Sequence, residues 1–214
     1  MRVGIVDYGM GNIFSLQNAL QEIGVESTLL TEPKFVVDAP HVIIPGVGGA
    51  EVAMARLHSS GLGGALVERA KLKKPTTGIC LGMQLFSSNS AETSGGEVPC
   101  LDLISGRVKN IKSFVTKQDA RVPSVGWYET NFDLKSTPDN MRWIEEFQGS
   151  RFYYVHSYQF ITSNQKHTVA HYEYYGSSIT SMVASGYNVA VQFHPEKSGK
   201  IGLEFLSKLI RNPR

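Results

Sequence analysis

The sequence predicts an α/β fold, a mostly parallel central sheet flanked by helices with an antiparallel β extension in its second half. Three observations carry this. Short apolar runs alternate with amphipathic helical patterns over the first third of the chain, the order that a parallel sheet covered on both faces requires. In the second half, β-prone runs follow one another across Gly, Asn and Ser turns with little helix between them, as antiparallel strands do. Between these regions a cysteine sits among glycines, Gly78-Ile79-Cys80-Leu81-Gly82, where a β-prone run gives way to a helix-prone one.

Residues 3–6 are a continuous apolar run and are expected to form a buried strand. A turn containing Gly9 and Gly11 follows. The next helix carries Ile13, Leu16, Leu20 and Ile23 on one face, with Gly24 placed to end it. Residues 25–30 form the second expected strand and residues 41–44 the third, stopped by Pro45-Gly46-Val47-Gly48. Helices are expected over 51–58 and 62–73, and residues 76–79 lead as a strand into the turn holding Cys80. Strands are then expected over 104–111, 122–128, 151–160, 168–174 and 182–191. A closing helix over 199–210 turns Ile201, Phe205 and Leu206 inward. There is no internal repeat, and the most polar stretch, 89–96, is too short for a linker, so residues 1–214 are expected to form one domain.

Apolar residues make up 42% of the chain and charged residues 19%, ordinary values for a globular protein with a sizeable core. A net charge of +2 gives no electrostatic case for a nucleic acid or an acidic membrane as partner. The first apolar run ends at Asp7, too early for a signal peptide, and no run approaches the roughly 18 apolar residues of a membrane span. With only Cys80 and Cys100 there is no disulfide framework, and a cytoplasmic location is expected. Cys100, after Pro99, reads as structural.

Free cysteines are usually small buried hydrophobes. The pattern around Cys80, small-x-nucleophile-x-small, nevertheless resembles the strand-to-helix elbow of α/β hydrolases, with cysteine replacing serine. A thiol with a pKa of about 8.5 needs a base or a positive field to react at neutral pH. A helix N-terminus after Cys80 would supply part of that field. Val191-Gln192-Phe193-His194-Pro195-Glu196 supplies a base: in extended chain His194 and Glu196 project to the same side, so the acid can hold one imidazole nitrogen while the other faces the thiol. Acyl transfer also needs an oxyanion hole, for which the Leu81 amide and the side-chain-poor turn at residues 45–48 are candidates. Gly9-x-Gly11 begins like a dinucleotide fingerprint, but Phe14 stands where the third glycine belongs, so a tight turn at a partner-facing surface is the better reading. His167 and His171 have no acid or cysteine set to complete a metal site, and Tyr172, Tyr174 and Tyr175 are expected to pack on the sheet extension.

PGVG, GICLGMQ and VQFHPEKS, in this order and at these separations, resemble class I (triad-type) glutamine amidotransferases. The likeness runs over essentially the whole chain, from VGIVDYGMGN through PSVGW and YVHSY to HPEKSGKIGLEFL. Within the family it is nearest to the branch of histidine biosynthesis, in which the glutaminase is a separate subunit. The resemblance implies a flavodoxin-like architecture, no cofactor, and release of ammonia from glutamine through a glutamyl thioester. It makes Cys80 the nucleophile, His194 the general acid/base and Glu196 the orienting acid. Gly46, Val47 and Gly48 match the oxyanion strand, with Leu81 beside the nucleophile. Gly46, Gln84, Glu92, Ser157 and Tyr158 match substrate-binding positions. Asn12, Trp127, Tyr153 and Lys197 match the interface with a barrel-shaped cyclase/synthase subunit, which would form a heterodimer and receive the ammonia. The family's usual Pro-His-x-Gly-Trp-Asn is here Pro123-Ser124-Val125-Gly126-Trp127-Tyr128, and Ser87 to Ala91 lacks one of the usual acids. These departures are expected to fall partly where the partner docks. An ammonia supplier to a sugar-modifying enzyme of bacterial surface glycans, or a non-catalytic binding module, are the competing readings.

Overall fold

Alternation along the strands divides the apolar side chains between two faces of one sheet, and helices cover both. The computed structural model describes residues 1–117 and 119–212. Its first half runs β1 (Arg2–Val6), α1 (Ile13–Glu22), β2 (Glu26–Leu30), α2 (Pro33–Asp38), β3 (Val42–Ile44), α3 (Ala50–Ser59), α4 (Leu62–Lys71), β4 (Thr76–Ile79) and α5 (Leu81–Gln84). Then come β5 (Asn89–Ser90), β6 (Val98–Pro99), β7 (Gly106–Asn110), β8 (Ser124–Glu129), β9 (Asn131–Phe132), β10 (Arg151–His156), β11 (Tyr158–Thr162), β12 (Thr168–Tyr174), β13 (Ser177–Ser185), β14 (Asn188–Val191) and α6 (Gly199–Arg211). The main sheet has eight strands in the order β2-β1-β3-β4-β14-β13-β12-β9. The first five are parallel and the last three continue antiparallel. Two smaller sheets, β10-β8 and β11-β7-β5-β6, complete the extension.

On one face Val3, Ile5, Ile43, Ile79 and Val191 pack with Leu16 and Leu20 of α1 and Phe205 and Leu206 of α6. On the other, Val6, Val42, Ile44 and Ala190 pack with Val36, Leu57, Leu62 and Leu66 of α2, α3 and α4. Adjacent strand residues thus enter opposite clusters, the period of two that a covered sheet imposes. Phe205 of α6 centres an aromatic cluster: its ring lies 5.3 Å from Phe152, 5.2 Å from Phe193 and 5.1 Å from Phe147. A buried phenylalanine of this kind contributes on the order of 3–5 kcal/mol against truncation.

The structure departs from the sequence reading at several places, and the short strands β5, β6 and β9 are among the elements not expected. The run 151–160 is two strands broken at Ser157, because β10 pairs with β8 whereas β11 pairs with β7 in another sheet. The run 182–191 is the end of β13 and all of β14, joined by a two-residue turn at Gly186 (φ +54°) that pairs Ser185 with Asn188. Both runs are apolar on either side of the break, so periodicity alone hides it. The short helix α2 was not expected. Its terminal carbonyls are capped from outside by the fully buried Arg69, which donates from Nη1 to Val36 O (2.8 Å) and Ala39 O (2.6 Å) and from Nη2 to Pro75 O (2.7 Å). The 3₁₀ stretch Asp139–Phe147 was also missed; it buries Met141, Ile144 and Phe147 at the three-residue spacing of that helix.

His41, just before β3, is 3% exposed, and its Nε2 shares a 2.9 Å hydrogen bond with Thr77 Oγ1. Burial, reinforced by the Arg69 charge, lowers its pKa from 6.5 to about 4. Between those values the unfolded chain takes up a proton that the native state refuses. The His41 contribution to stability is therefore fully present above about pH 6.5 and is lost as pH drops toward 4, by on the order of 3 kcal/mol. His41→Gln is expected to flatten the dependence of Tm on pH across that window. An acid slope identical to that of the parent chain would show that another group is responsible.

Candidate active site

Strands β3, β4 and β14 are neighbours, and their carboxyl ends lie side by side: Ile44 is in register with Gly78, and Val191 with Ile79. The segments leaving those ends are the turn at residues 45–48, the Cys80 elbow and the His194 loop. Cys80 has φ +56° and ψ −112°, a backbone state costly for an L residue and tolerated only where surroundings over-determine it. The Cys80 N–H donates to Val191 O at 2.8 Å, and its carbonyl accepts from Met83 N at 3.0 Å. A Cβ on Gly78 would lie 2.7 Å from Gly82 O, and one on Gly82 would collide with the Ile44 carbonyl oxygen. The two glycines are required because three backbones cross there. The helix after the elbow, α5, is a single turn, so the field at the sulfur comes from a few free N–H groups rather than a long macrodipole.

His194 Nδ1 lies 2.7 Å from Glu196 Oε1, with both side chains buried. The extended geometry expected for this pair is replaced by a 3₁₀ turn, Pro195–Lys197, which brings the carboxylate back under the ring. The backbone is clamped on both sides: His194 N donates to Tyr153 O (2.9 Å), and Ser198 Oγ donates to His194 O (2.7 Å). His194 Nε2 is buried and has no hydrogen-bond partner. Burial alone would lower the imidazole pKa. The neighbouring Cys80 sulfur and then Glu196 outweigh it and push the value up to about 10, so the ring is held in its protonated form at neutral pH.

A cavity of about 290 Å³ opens on this pair. It is lined by Cys80, His194 and Leu81, by Val47 and Gly48 of the glycine turn, and by Gln84, Glu92, Ser157 and Tyr158. These predicted site residues therefore meet in one place. Gly46 lies behind the wall, where a Cβ would come within 2.8 Å of Leu81 Cβ. Glu92 Oε2 accepts from Ala50 N at 3.1 Å, and burial raises its carboxyl pKa. Asn12, Trp127, Tyr153 and Lys197 do not line the cavity. Asn12 caps α1 through a 3.3 Å bond from Ser15 N; Trp127 and Lys197 are exposed; the Tyr153 ring lies 6.0 Å from Trp127 and 6.4 Å from His194.

Sequence reasoning missed three contributors. Tyr8, in the turn after β1, is buried and donates from its hydroxyl to Pro45 O at 2.7 Å, fixing the first peptide of the glycine turn. His156 lines the cavity; its Nδ1 lies 2.7 Å from Tyr158 O and its Nε2 2.8 Å from the Tyr172 hydroxyl, which shares a 3.0 Å bond with Ser124 Oγ. Burial lowers the His156 pKa to about 4, so the ring is a neutral brace. Gln192 is fully buried between Gln84 and Cys80. Its place two residues before His194 was the available signal. Ser124 is also fully buried, and Tyr128 packs against Tyr154, Tyr172 and Tyr174, so the departures at these positions face inward rather than toward a docking surface. Cys100 is free and half-buried, with its thiol pKa pushed up to about 11 by burial. Among the described residues no group of three or more His, Cys, Asp or Glu gathers as metal ligands would.

The family model for glutamine amidotransferase class-I matches residues 4–210. The chain is 40% identical over 204 residues to imidazole glycerol phosphate synthase subunit HisH of Moorella thermoacetica, covering 95% of this chain and 91% of that protein. It is 36% identical to the subunit of the same name from Carboxydothermus hydrogenoformans, with 96% of each chain covered, and 35% identical to subunit HisH 2 of Methanococcus maripaludis, with 98% of each covered. Among solved structures, a glutamine amidotransferase superposes with a TM-score of 0.71 at 15% identity, covering 96% of each chain. PurLQS from Thermotoga maritima gives 0.69 at 18% identity, covering 99% of this chain and 96% of that one. At such identities the structural likeness concerns the fold.

The crossing at the elbow gives a paired prediction. Gly82→Ala should lower the unfolding free energy by about 2 kcal/mol or more, since overpacking against backbone cannot relax by a rotamer change. Gly64→Ala, on the exposed side of α4 with no heavy atom within 4 Å of the added Cβ, should stabilise by roughly 0.5–1 kcal/mol. Urea denaturation of both variants checks this; a parental midpoint for Gly82→Ala would refute the steric account.

Proposed function

The chain belongs to the class-I glutamine amidotransferase family, and we propose that it is the glutaminase subunit of an imidazole glycerol phosphate synthase. It hydrolyses the side-chain amide of glutamine to glutamate and ammonia, and the ammonia serves the synthase reaction of histidine biosynthesis. The observation that carries the reading is the cavity in which Cys80, the glycine turn and His194, itself held by Glu196, converge.

In this reading Glu92 receives the α-ammonium of glutamine, and the backbone at Ser157 and Tyr158 receives its α-carboxylate. Gln84 and Gly46 shape the pocket between them. The amide oxygen is directed at the N–H groups of Leu81 and of Val47 or Gly48, which bind it as charge develops. The Cys80 thiolate attacks the amide carbon to form a tetrahedral intermediate. His194, protonated at Nε2, gives its proton to the leaving nitrogen, ammonia departs and a γ-glutamyl thioester remains. His194 then removes a proton from water, whose hydroxide attacks the thioester and releases glutamate and the thiolate. Glu196 holds Nδ1 throughout, fixing the ring and stabilising its charge. No cofactor enters these steps.

The partner in this reading is a barrel-shaped cyclase/synthase subunit forming a heterodimer, docked over Asn12, Trp127, Tyr153 and Lys197. Phe14, Val47, Val125 and Trp127 are large apolar side chains left exposed, which supports a covered surface. Tyr153, standing between Trp127 and His194, links that surface to the triad. A cytoplasmic location goes with the reading, and no helix among the described residues is long and apolar enough to cross a membrane.

Cys80→Ala is expected to abolish glutamine hydrolysis while keeping the parental circular dichroism spectrum; turnover that survives would sink the assignment. Glu196→Gln should lower kcat without eliminating it, because the amide still positions the ring but stabilises the imidazolium poorly, and a parental rate would mean another group orients His194.

Coupling to the partner is tested by assaying the chain alone, with the synthase subunit, and with the subunit plus an analogue of its substrate. The Pro45-Gly46-Val47-Gly48 turn can reorient a peptide, and gaining or losing one oxyanion donor changes the rate by about a hundredfold or more. The isolated chain should therefore be the slowest and the ternary assay the fastest. Equal rates would refute gating, and activation only by a sugar-modifying partner would replace the partner named here.

A further inference from the structure

The inner wall of the cavity contains a chain of side-chain amides that ends on the reacting sulfur. Gln84 Nε2 donates to Tyr158 O at 3.0 Å and to Gln192 Oε1 at 3.0 Å. The Tyr158 carbonyl can only accept, so it fixes the NH₂ group of Gln84 on that side, and the second hydrogen goes to Gln192. Gln192 then has to present its oxygen to Gln84 and its own NH₂ to the opposite side, where Nε2 lies 3.8 Å from Cys80 Sγ. Gln192 is fully buried on β14, with its backbone N–H bonded to Ser181 O at 2.7 Å. A buried amide is costly unless both of its ends are used, and here the sulfur is what uses the donor end.

We infer that Gln192 is a catalytic residue whose amide N–H donates to the Cys80 thiolate, and that Gln84 is the positioning residue that decides which end of Gln192 faces the sulfur. The inference rests on Cys80 being the nucleophile of the proposed glutaminase. Cys80 is 7% exposed, so water has little access to stabilise an anion there. On another side it faces Val155 O at 3.9 Å, an acceptor that can serve only the protonated thiol. His194 supplies charge and Gln192 supplies a directed donor, and both favour the thiolate over the thiol. The role assigned to Gln84 adds to its contact with substrate: with glutamine absent it still sets the orientation of the amide beside the nucleophile.

The test is the pH dependence of Cys80 alkylation by iodoacetamide in the full chain without glutamine or partner, with mass spectrometry separating Cys80 from Cys100. Gln192→Met should raise the midpoint of thiolate formation by about one pH unit, the shift expected for loss of one charge-assisted hydrogen bond. Gln192→Glu keeps the size of the side chain but turns an oxygen toward the sulfur, and should raise the midpoint at least as far; it decides the matter should the methionine variant fail to fold. Gln84→Met should shift the midpoint in the same direction by a smaller amount, which a role confined to substrate contact would not produce. Parental midpoints in folded Gln192→Glu and Gln192→Met would overturn the inference while leaving the glutaminase reading intact. Turnover in Cys80→Ala would overturn that reading, and with it the word catalytic for Gln192.

Discussion

The molecule is organised around one close approach, the Gly82 backbone against the Ile44 carbonyl oxygen. It forces the chain leaving β4 to turn sharply over the end of β3, and that turn gives Cys80 its positive φ. The same crossing seats Gly46 against Leu81, so the start of the glycine turn is held beside the cysteine. On the other side, the Cys80 amide is held by Val191 O, and three residues later β14 delivers His194. Cys80, His194 and the glycine turn are thus brought together as consecutive consequences of three parallel strands ending in register, in the crevice at the carboxyl edge where open α/β sheets place ligands.

That packing creates an electrostatic problem which the side chains answer. A buried imidazole should be neutral, and His41 and His156 are: both fall to about 4. His194 is equally enclosed yet rises to about 10. The difference lies in the neighbours. His41 faces a hydroxyl and the field of Arg69; His156 is braced by a carbonyl and a phenol; His194 alone lies between a carboxylate and a sulfur able to carry negative charge. One fold therefore holds two histidines as neutral braces and one as an acid without altering their degree of burial.

Much of this was legible in the sequence because the signals were local. The elbow glycines, the apolar runs of β1, β3 and β4 and the face of α1 are written within ten or twelve residues each, and the structure places them as read. The His194–Glu196 pairing was also legible, although its geometry was not: proline within the motif suggested a stiff extended segment, and a 3₁₀ turn was formed instead. What stayed hidden depends on distant partners. Helix α2 exists because Arg69, some thirty residues on, caps it, and the break at Ser157 exists because β10 and β11 answer to different sheets. Tyr8 and Gln192 carry no chemical signature of their own; they matter through Pro45 and Cys80, which are near them only after folding.

The departures from the family pattern at Ser124 and Tyr128 are best understood from this side. Read linearly, Ser124 and Tyr128 flank Trp127 and look like changes at a docking surface. In a strand, however, alternate residues face opposite ways, and β8 sends Val125 and Trp127 outward while Ser124 and Tyr128 turn in. Ser124 ends a buried chain that runs through Tyr172 and His156 to the Tyr158 carbonyl. That carbonyl is the acceptor that orients Gln84, and through it Gln192. The substitution at position 124 therefore bears on the cavity wall behind Cys80, three hydrogen-bonded side chains from Gln192, and not on the outward face that carries Trp127.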